Sequence, residues 1–221
     1  MVLLIGHRGA KGYGLENTLT SFAKALELKC DMVEFDLRFT KDKEIVVFHD
    51  TSLKRMCGVK GKLKDKTLSQ VKKLKVKGIE TVPTFSEVLD FLGKKVILDI
   101  EIKDKGMEEQ VVNELKKRRL LGKCIVSSFN SKILARIKYL EPKLDTYYLF
   151  RRKPISLGRI MEKCNIDGID VPYLNFSKGL LNWARKRGFK VLVWTVNSEK
   201  RIKKYKGWEV DGIITDYPDR F

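Results

Sequence analysis

Two histidines stand in a chain of 221 residues that carries 46 lysines and arginines. His7 follows the apolar run Val2-Leu3-Leu4-Ile5 and Gly6, and precedes Arg8 and Gly9. His49 follows Val46-Val47-Phe48 and precedes Asp50. Each imidazole therefore sits where an apolar, β-branched run gives way to a turn. An imidazole takes or gives a proton near neutral pH, which lysine does only with a strongly depressed pKa. Carboxylates recur in a similar setting. Glu34 and Asp36 alternate with Val33, Phe35 and Leu37, and Asp99, Glu101 and Lys103 alternate with Leu98, Ile100 and Ile102. Residues two apart share a face of a strand, so each stretch gathers its acids on one face.

Either stretch alone is also the solvated alternation of an antiparallel sheet. If both faces are buried, unpaired carboxylates are too costly to keep. A hard divalent cation, Mg²⁺ or Ca²⁺, is then the fitting partner for Glu34, Asp36 and Glu101. Arg8 can grip a phosphate through two parallel hydrogen bonds. Lys103 adds positive charge for an anionic transition state. A metal site, an arginine, a lysine and two imidazoles together suit phosphoryl transfer on an anionic ester. Carboxylates alone would suit glycoside hydrolysis; the arginine and lysine beside them argue against it.

The elements that must position these groups are legible as alternating runs. Strands are predicted at 2–6, 32–38, 95–102, 123–129, 145–150, 167–172, 190–196 and 211–216, with a short run at 44–49 returning on the second as a hairpin. Helices are predicted at 18–28, 84–92, 107–121, 131–140, 156–164, 178–188 and 199–205. Asn17 reads as the N-cap of the first, with Leu19, Phe22, Ala23 and Leu26 on its apolar face. Thr84 and Glu87 form a capping box, and Gly188 reads as a C-cap.

Eight strand–helix units imply an α/β fold of the (β/α)8 TIM-barrel type. An open doubly wound sheet would call for a Gly-x-Gly-x-x-Gly turn after the first strand, and none follows it. Residues 51–82 break the rhythm: they are lysine-rich, hold Gly58, Gly61 and Gly78, and show one helical patch, "LSQVKKL". They are expected to form a small insertion over the C-terminal face of a single barrel domain, 1–221. Active sites of such barrels lie at the carboxyl ends of the strands. His7, Arg8, Glu34, Asp36, His49, Asp50, Asp99, Glu101, Lys103, Trp194, Asn197, Thr215 and Asp216 all fall there.

The formal net charge is +18, but the lysines are spread along the chain with no basic tail and no zinc-finger spacing. A nucleic-acid partner is therefore not expected. The positive field would steer anionic substrates, or a weak association with an anionic membrane surface. No apolar run is long enough to span a membrane, and the short N-terminal run lacks the flanks of a secretory signal. Cys30, Cys57, Cys124 and Cys164 show no metal-ligand spacing, and reduced thiols in a cytoplasmic protein are the expectation. Oligomeric state is left open.

Taken in order, HRG (7–9), ENT (16–18) with SF (21–22), VEFDLRFTKD (33–42), VVFHD (46–50), VPTFSEVL (82–89), IEIK (100–103), SSFN (127–130), WTVN (194–197) and DGIITDYPD (211–219) resemble the glycerophosphodiester phosphodiesterases. The resemblance runs from the first strand to the last. It implies a metal-dependent hydrolysis of glycerophosphodiesters to sn-glycerol 3-phosphate and an alcohol, with a lysophospholipase D-like activity on membrane lysophospholipids as the alternative. It implies His7 and His49 as the acid/base pair, Arg8 and Lys103 on the phosphate, Trp194 beside the glycerol, and Glu34, Asp36 and Glu101 on the metal. It further implies that a substrate glycerol hydroxyl attacks phosphorus and that water opens the resulting cyclic phosphate. Leu15 replaces the pattern's usual proline and Lys43 its usual glycine; neither is a chemical group of the site.

Overall fold

The computed structural model describes residues 1–221. The strands are β1 (Leu3–Gly6), β2 (Met32–Phe39), β3 (Ile45–Val47), β4 (Lys75–Val76), β5 (Glu80–Thr81), β6 (Ile97–Ile102), β7 (Cys124–Ser128), β8 (Asp145–Leu149), β9 (Gly168–Pro172), β10 (Lys190–Trp194) and β11 (Gly212–Thr215). The helices are α1 (Leu19–Glu27), α2 (Lys54–Cys57), α3 (Leu68–Lys72), α4 (Phe85–Leu92), α5 (Glu108–Lys117), α6 (Ser131–Leu140), α7 (Leu157–Lys163), α8 (Lys178–Arg185) and α9 (Glu199–Gly207). β1, β2 and β6 to β11 pair in parallel, and β1 pairs with both β2 and β11, which closes an eight-stranded barrel ringed by helices. β3 hangs on β2 as the antiparallel arm of a hairpin, with Leu37 opposite Val47. Lys43 turns that hairpin at φ +62, the left-handed region in which the usual glycine is unstrained.

Alternation sorts the strand side chains into two cores. Outward residues such as Val33, Phe35, Leu37, Leu98 and Ile100 join the helices in one large apolar cluster. There the Phe22 and Phe35 rings meet edge to face at 5.8 Å. Burying a side chain of this size contributes about 1.5–3 kcal/mol, so α1 is held chiefly by this face. Inward, Ile5, Met32, Ile125, Tyr147, Leu192 and Ile214 plug the barrel. Gly168 makes room for that plug, since a Cβ there would meet the Tyr147 ring at 2.5 Å. Above the plug the inward positions turn polar. Glu34 lies in register with Asp99, and Asp36 with Glu101, across β2 and β6.

Several local expectations shift. Thr18, not Asn17, caps α1: its hydroxyl accepts from the Ser21 amide, while Asn17 stands at φ +60 and spends its side chain on Asp36. The buried face of α1 is Ser21, Phe22 and Ala25, leaving Leu19 and Ala23 exposed. The Ser21 hydroxyl donates to the Arg8 carbonyl at 2.9 Å, which gives this polar residue a partner on the buried face. Helix α8 ends at Arg185 with Lys186 as its cap, and Gly188 follows at φ +76. The capping box of Thr84 and Glu87 forms as expected.

Residues 51–82 hold more than one helical patch. They contain α2, α3, a single 3-10 turn at Leu63–Asp65 and the β4–β5 hairpin. Leu53, Met56, Leu63, Val71, Val76 and Val82 pack with Val46 and Phe48 into a small cluster of their own.

Candidate active site

One cavity of about 320 Å³ opens on the polar side of the barrel, lined among others by His7, Arg8, Glu34, His49, Glu101, Lys103 and Trp194. Of the thirteen polar residues that the sequence placed at strand ends, His7, Arg8, Glu34, His49, Glu101, Lys103 and Trp194 line this cavity; Asp36 is fully buried, and Asp50, Asp99, Asn197, Thr215 and Asp216 do not line it. The Glu34, Asp36 and Glu101 carboxylates each offer an oxygen, and these oxygens lie within 4.8 Å of one another.

The HRG turn places two groups side by side. The His7 amide continues the ladder of β1 by donating to the Thr215 carbonyl at 2.9 Å. Arg8 then takes φ +50 and Gly9 φ +86. A Cβ on Gly9 would stand 2.4 Å from the Ser21 hydroxyl, so only glycine permits α1 to approach the turn this closely. The Arg8 amide donates to Glu34 at 2.8 Å, its Nη1 to Glu16 at 2.7 Å, and its Nε lies 3.2 Å from Asp36.

Each imidazole has its own carboxylate. His7 Nδ1 lies 2.6 Å from Asp216, and His49 Nδ1 lies 2.6 Å from Asp50. If Nδ1 is the donor in both, Nε2 is left as the proton acceptor. His7 Nε2 is 4.0 Å from Glu34. Burial pushes both imidazoles below their ordinary pKa and outweighs the opposing pull of Asp216 on His7 and of Asp36 on His49. Asn197 braces the first pair by donating to Asp216 at 2.7 Å. Arg55, from α2, braces the second. Its Nε and Nη2 reach Asp50 at 2.6 and 2.9 Å, and its Nη1 and Nη2 reach Glu16 at 2.8 and 2.7 Å. One run of charges thus links Arg8, Glu16, Arg55, Asp50 and His49.

The acids behave as a crowd around too little positive charge. Burial, then the Asp36 carboxylate, pushes Glu34 well above the carboxylate range and Glu101 to about 7. Burial also lifts Asp36, but Lys103 and Arg8 outweigh it and hold Asp36 well below that range. Lys103 bridges Asp36 at 3.0 Å and Glu101 at 2.6 Å. Asp36 Oδ1 is buried without a well-directed hydrogen bond. Three converging hard oxygens, two of them driven toward protonation by burial and by the Asp36 charge, fit a divalent cation.

Sequence reasoning placed Asp50, Asn197 and Asp216 at strand ends without their pairings. It missed Glu16, Arg55 and Asp170. Asp170 is an inward residue of β9, 1% exposed, that also lines the cavity.

Acids, bases and imidazoles gathered at the carboxyl ends of a closed parallel barrel define a (β/α)8-barrel enzyme built for an anionic substrate. The chain belongs to the glycerophosphoryl diester phosphodiesterase family of phosphodiester hydrolases, whose profile matches residues 7–220. It is 34% identical over 250 residues to a glycerophosphodiester phosphodiesterase of Bacillus subtilis (strain 168), covering 100% of this chain and 85% of that protein. Its fold is similar to the crystal structure of a glycerophosphodiester phosphodiesterase from Thermotoga maritima, with TM-score 0.86 and 33% identity over 99% of this chain and 96% of that one. It is similar also to an Oleispira antarctica phosphodiesterase in complex with the product sn-glycerol-3-phosphate, with TM-score 0.90 and 29% identity over 98% of this chain and 93% of that one.

Proposed function

We propose that this chain hydrolyses glycerophosphodiesters to sn-glycerol 3-phosphate and an alcohol, using Mg²⁺ or Ca²⁺ and the imidazoles of His7 and His49. The observation that carries the reading is the pairing of each imidazole with its own carboxylate at 2.6 Å on one cavity shared with Arg8, Lys103 and the three-carboxylate cluster.

Glu34, Asp36 and Glu101 would hold the cation, which would supply positive charge to stabilise the phosphate. Arg8 and Lys103 orient the phosphate and neutralise charge that develops on it. One imidazole accepts the proton of a substrate glycerol hydroxyl through Nε2 as that oxygen bonds to phosphorus. The other gives a proton to the departing alcohol oxygen as its bond to phosphorus breaks. The resulting cyclic phosphate is opened by water with the two proton roles reversed. Asp216 and Asp50 hold the rings and stabilise each imidazolium. Trp194 packs beside the glycerol. The 51–82 segment covers the C-terminal mouth and tunes head-group preference, a reading supported by its Arg55 reaching Glu16 and Asp50.

The test is release of glycerol 3-phosphate from glycerophosphocholine and glycerophosphoethanolamine with and without EDTA. Activity that survives EDTA, or that His7→Ala retains, refutes the mechanism. Lysophosphatidylcholine in the same panel decides the lysophospholipase D alternative. Co-sedimentation with anionic vesicles at low and high salt tests the weak membrane association.

A further inference from the structure

The cavity holds two buried polar atoms that the mechanism above leaves unused. Asp170 Oδ1 and Trp194 Nε1 are both buried and lack hydrogen-bond partners. Both side chains line the cavity, and they come from adjacent strands. Asp170 lies in register with Leu192 of the apolar plug, and Trp194 is two residues nearer the mouth on the same strand as Leu192. A buried polar atom without a partner is costly to keep. In an enzyme pocket the economical explanation is a ligand group that completes the pair.

The chemistry of that ligand group follows from its surroundings. Asp170 stands outside the three-carboxylate cluster, so a shared cation does not explain it. The carboxyls of Asp99 and Glu101 are the charged neighbours that act on it most strongly. No lysine or arginine pairs with Asp170, so a phosphate finds its cationic partners at Arg8 and Lys103 instead. Neutral hydroxyls suit either open atom: a hydroxyl can accept from an indole N–H, and it can donate to a carboxyl oxygen, which has an acceptor lone pair in either protonation state.

We propose that Asp170 is a specificity-determining residue that accepts a hydrogen bond from a hydroxyl at the glycerol end of the substrate. This rests on the glycerophosphodiester reading and adds to it a residue that tells a free polyol from an acylated or deoxygenated one. A site built to bond a hydroxyl rejects the analogue that lacks it, because its buried polar groups are then left unpaired.

The experiment compares binding of sn-glycerol 3-phosphate with binding of 1-propyl phosphate, which has the phosphate and carbon chain without the hydroxyls, by calorimetry on the full chain with Mg²⁺ present. The wild type should prefer glycerol 3-phosphate by about 10- to 100-fold. Asp170→Leu should lose most of that preference by weakening glycerol 3-phosphate alone, and Asp170→Asn, which keeps an acceptor oxygen, should restore part of it. Equal weakening of both ligands in Asp170→Leu, or a preference left intact, overturns the assignment. Hydrolysis of glycerophosphocholine by the wild type checks the underlying reading separately. A wild type that hydrolyses it yet binds both phosphates equally overturns the role of Asp170 alone; one that hydrolyses nothing overturns both.

Discussion

Replacing Arg55 by methionine keeps an unbranched apolar stem and removes the guanidinium with its charge. Arg55 makes four contacts of 2.6–2.9 Å to two carboxylates, Asp50 and Glu16. Charge-assisted hydrogen bonds contribute about 1.5–3 kcal/mol each when buried. The Arg55 side chain is 46% exposed, so solvent screens much of this. A net loss of about 2 kcal/mol is expected, which for a chain of this size lowers Tm by roughly 4–8 °C. The effect on turnover should be separate and larger. Asp50 loses the fork that fixes its orientation, and His49 depends on Asp50 for its ring position and tautomer. Loss of such a supporting partner typically costs about 10- to 100-fold in activity. Glu16 keeps its bond to Arg8, so phosphate binding should hold. Steady-state kinetics on glycerophosphocholine should therefore show kcat falling by that factor with KM within about two-fold. Arg55→Lys should recover little, since one ammonium cannot make two forked pairs. A variant with normal kcat and a lowered Tm, or one whose KM alone rises, refutes this coupling of α2 to His49.

Glu101→Gln removes one hard donor, and the Mg²⁺ concentration for half-maximal activity should rise roughly ten-fold or more; metal titration after EDTA stripping reads it. Asp216→Asn can donate to His7 Nδ1 where the carboxylate accepted, which leaves the proton on Nε2; kcat should fall by about 10²- to 10⁴-fold, read as a pH–rate profile. Gly9→Ala meets Ser21 at 2.4 Å with φ at +86, and thermal unfolding should show a loss of about 2–4 kcal/mol. Burial raises the Glu16 carboxyl, but Arg55 and Arg8 outweigh it and hold it at about 2, below its ordinary 4.5. A depressed folded pKa contributes stability above pH 4.5 that is lost as the pH falls toward 2; at most about 3 kcal/mol is at stake. Denaturant titrations across that window should show the loss, and Glu16→Gln should flatten it.

The barrel was legible because its strands carry two kinds of alternation at once. Val33, Phe35 and Leu37 had to face helices, which forced Glu34 and Asp36 to face each other's neighbours inside. His7 and His49 stood out by rarity and by ending strands. Asn17 misled as a cap because Asn and Thr satisfy the same local rule; the buried Asp36 recruited its amide, and Thr18 took the cap. Arg55 hid among the lysines of 51–82, since its partner Glu16 is 39 residues away. Asp170 sits in "DGIDVP", where an acid among turn-forming and apolar residues carries no periodic signal. Such pairings belong to barrel closure, which no local pattern contains.

That closure has a consequence for how the protein comes alive. His7 leaves the first strand of the ring and Asp216 the last, 209 residues apart, and the Thr215 carbonyl fixes the His7 amide across the same seam. The His7 base is therefore complete only when the first and last strands of the ring have paired. In refolding, helical signal should return before turnover does, because contacts this distant in sequence form late. Catalysis thus reports, molecule by molecule, that the circle has joined, and an intermediate open at the seam would be folded to the eye of circular dichroism yet inert toward substrate.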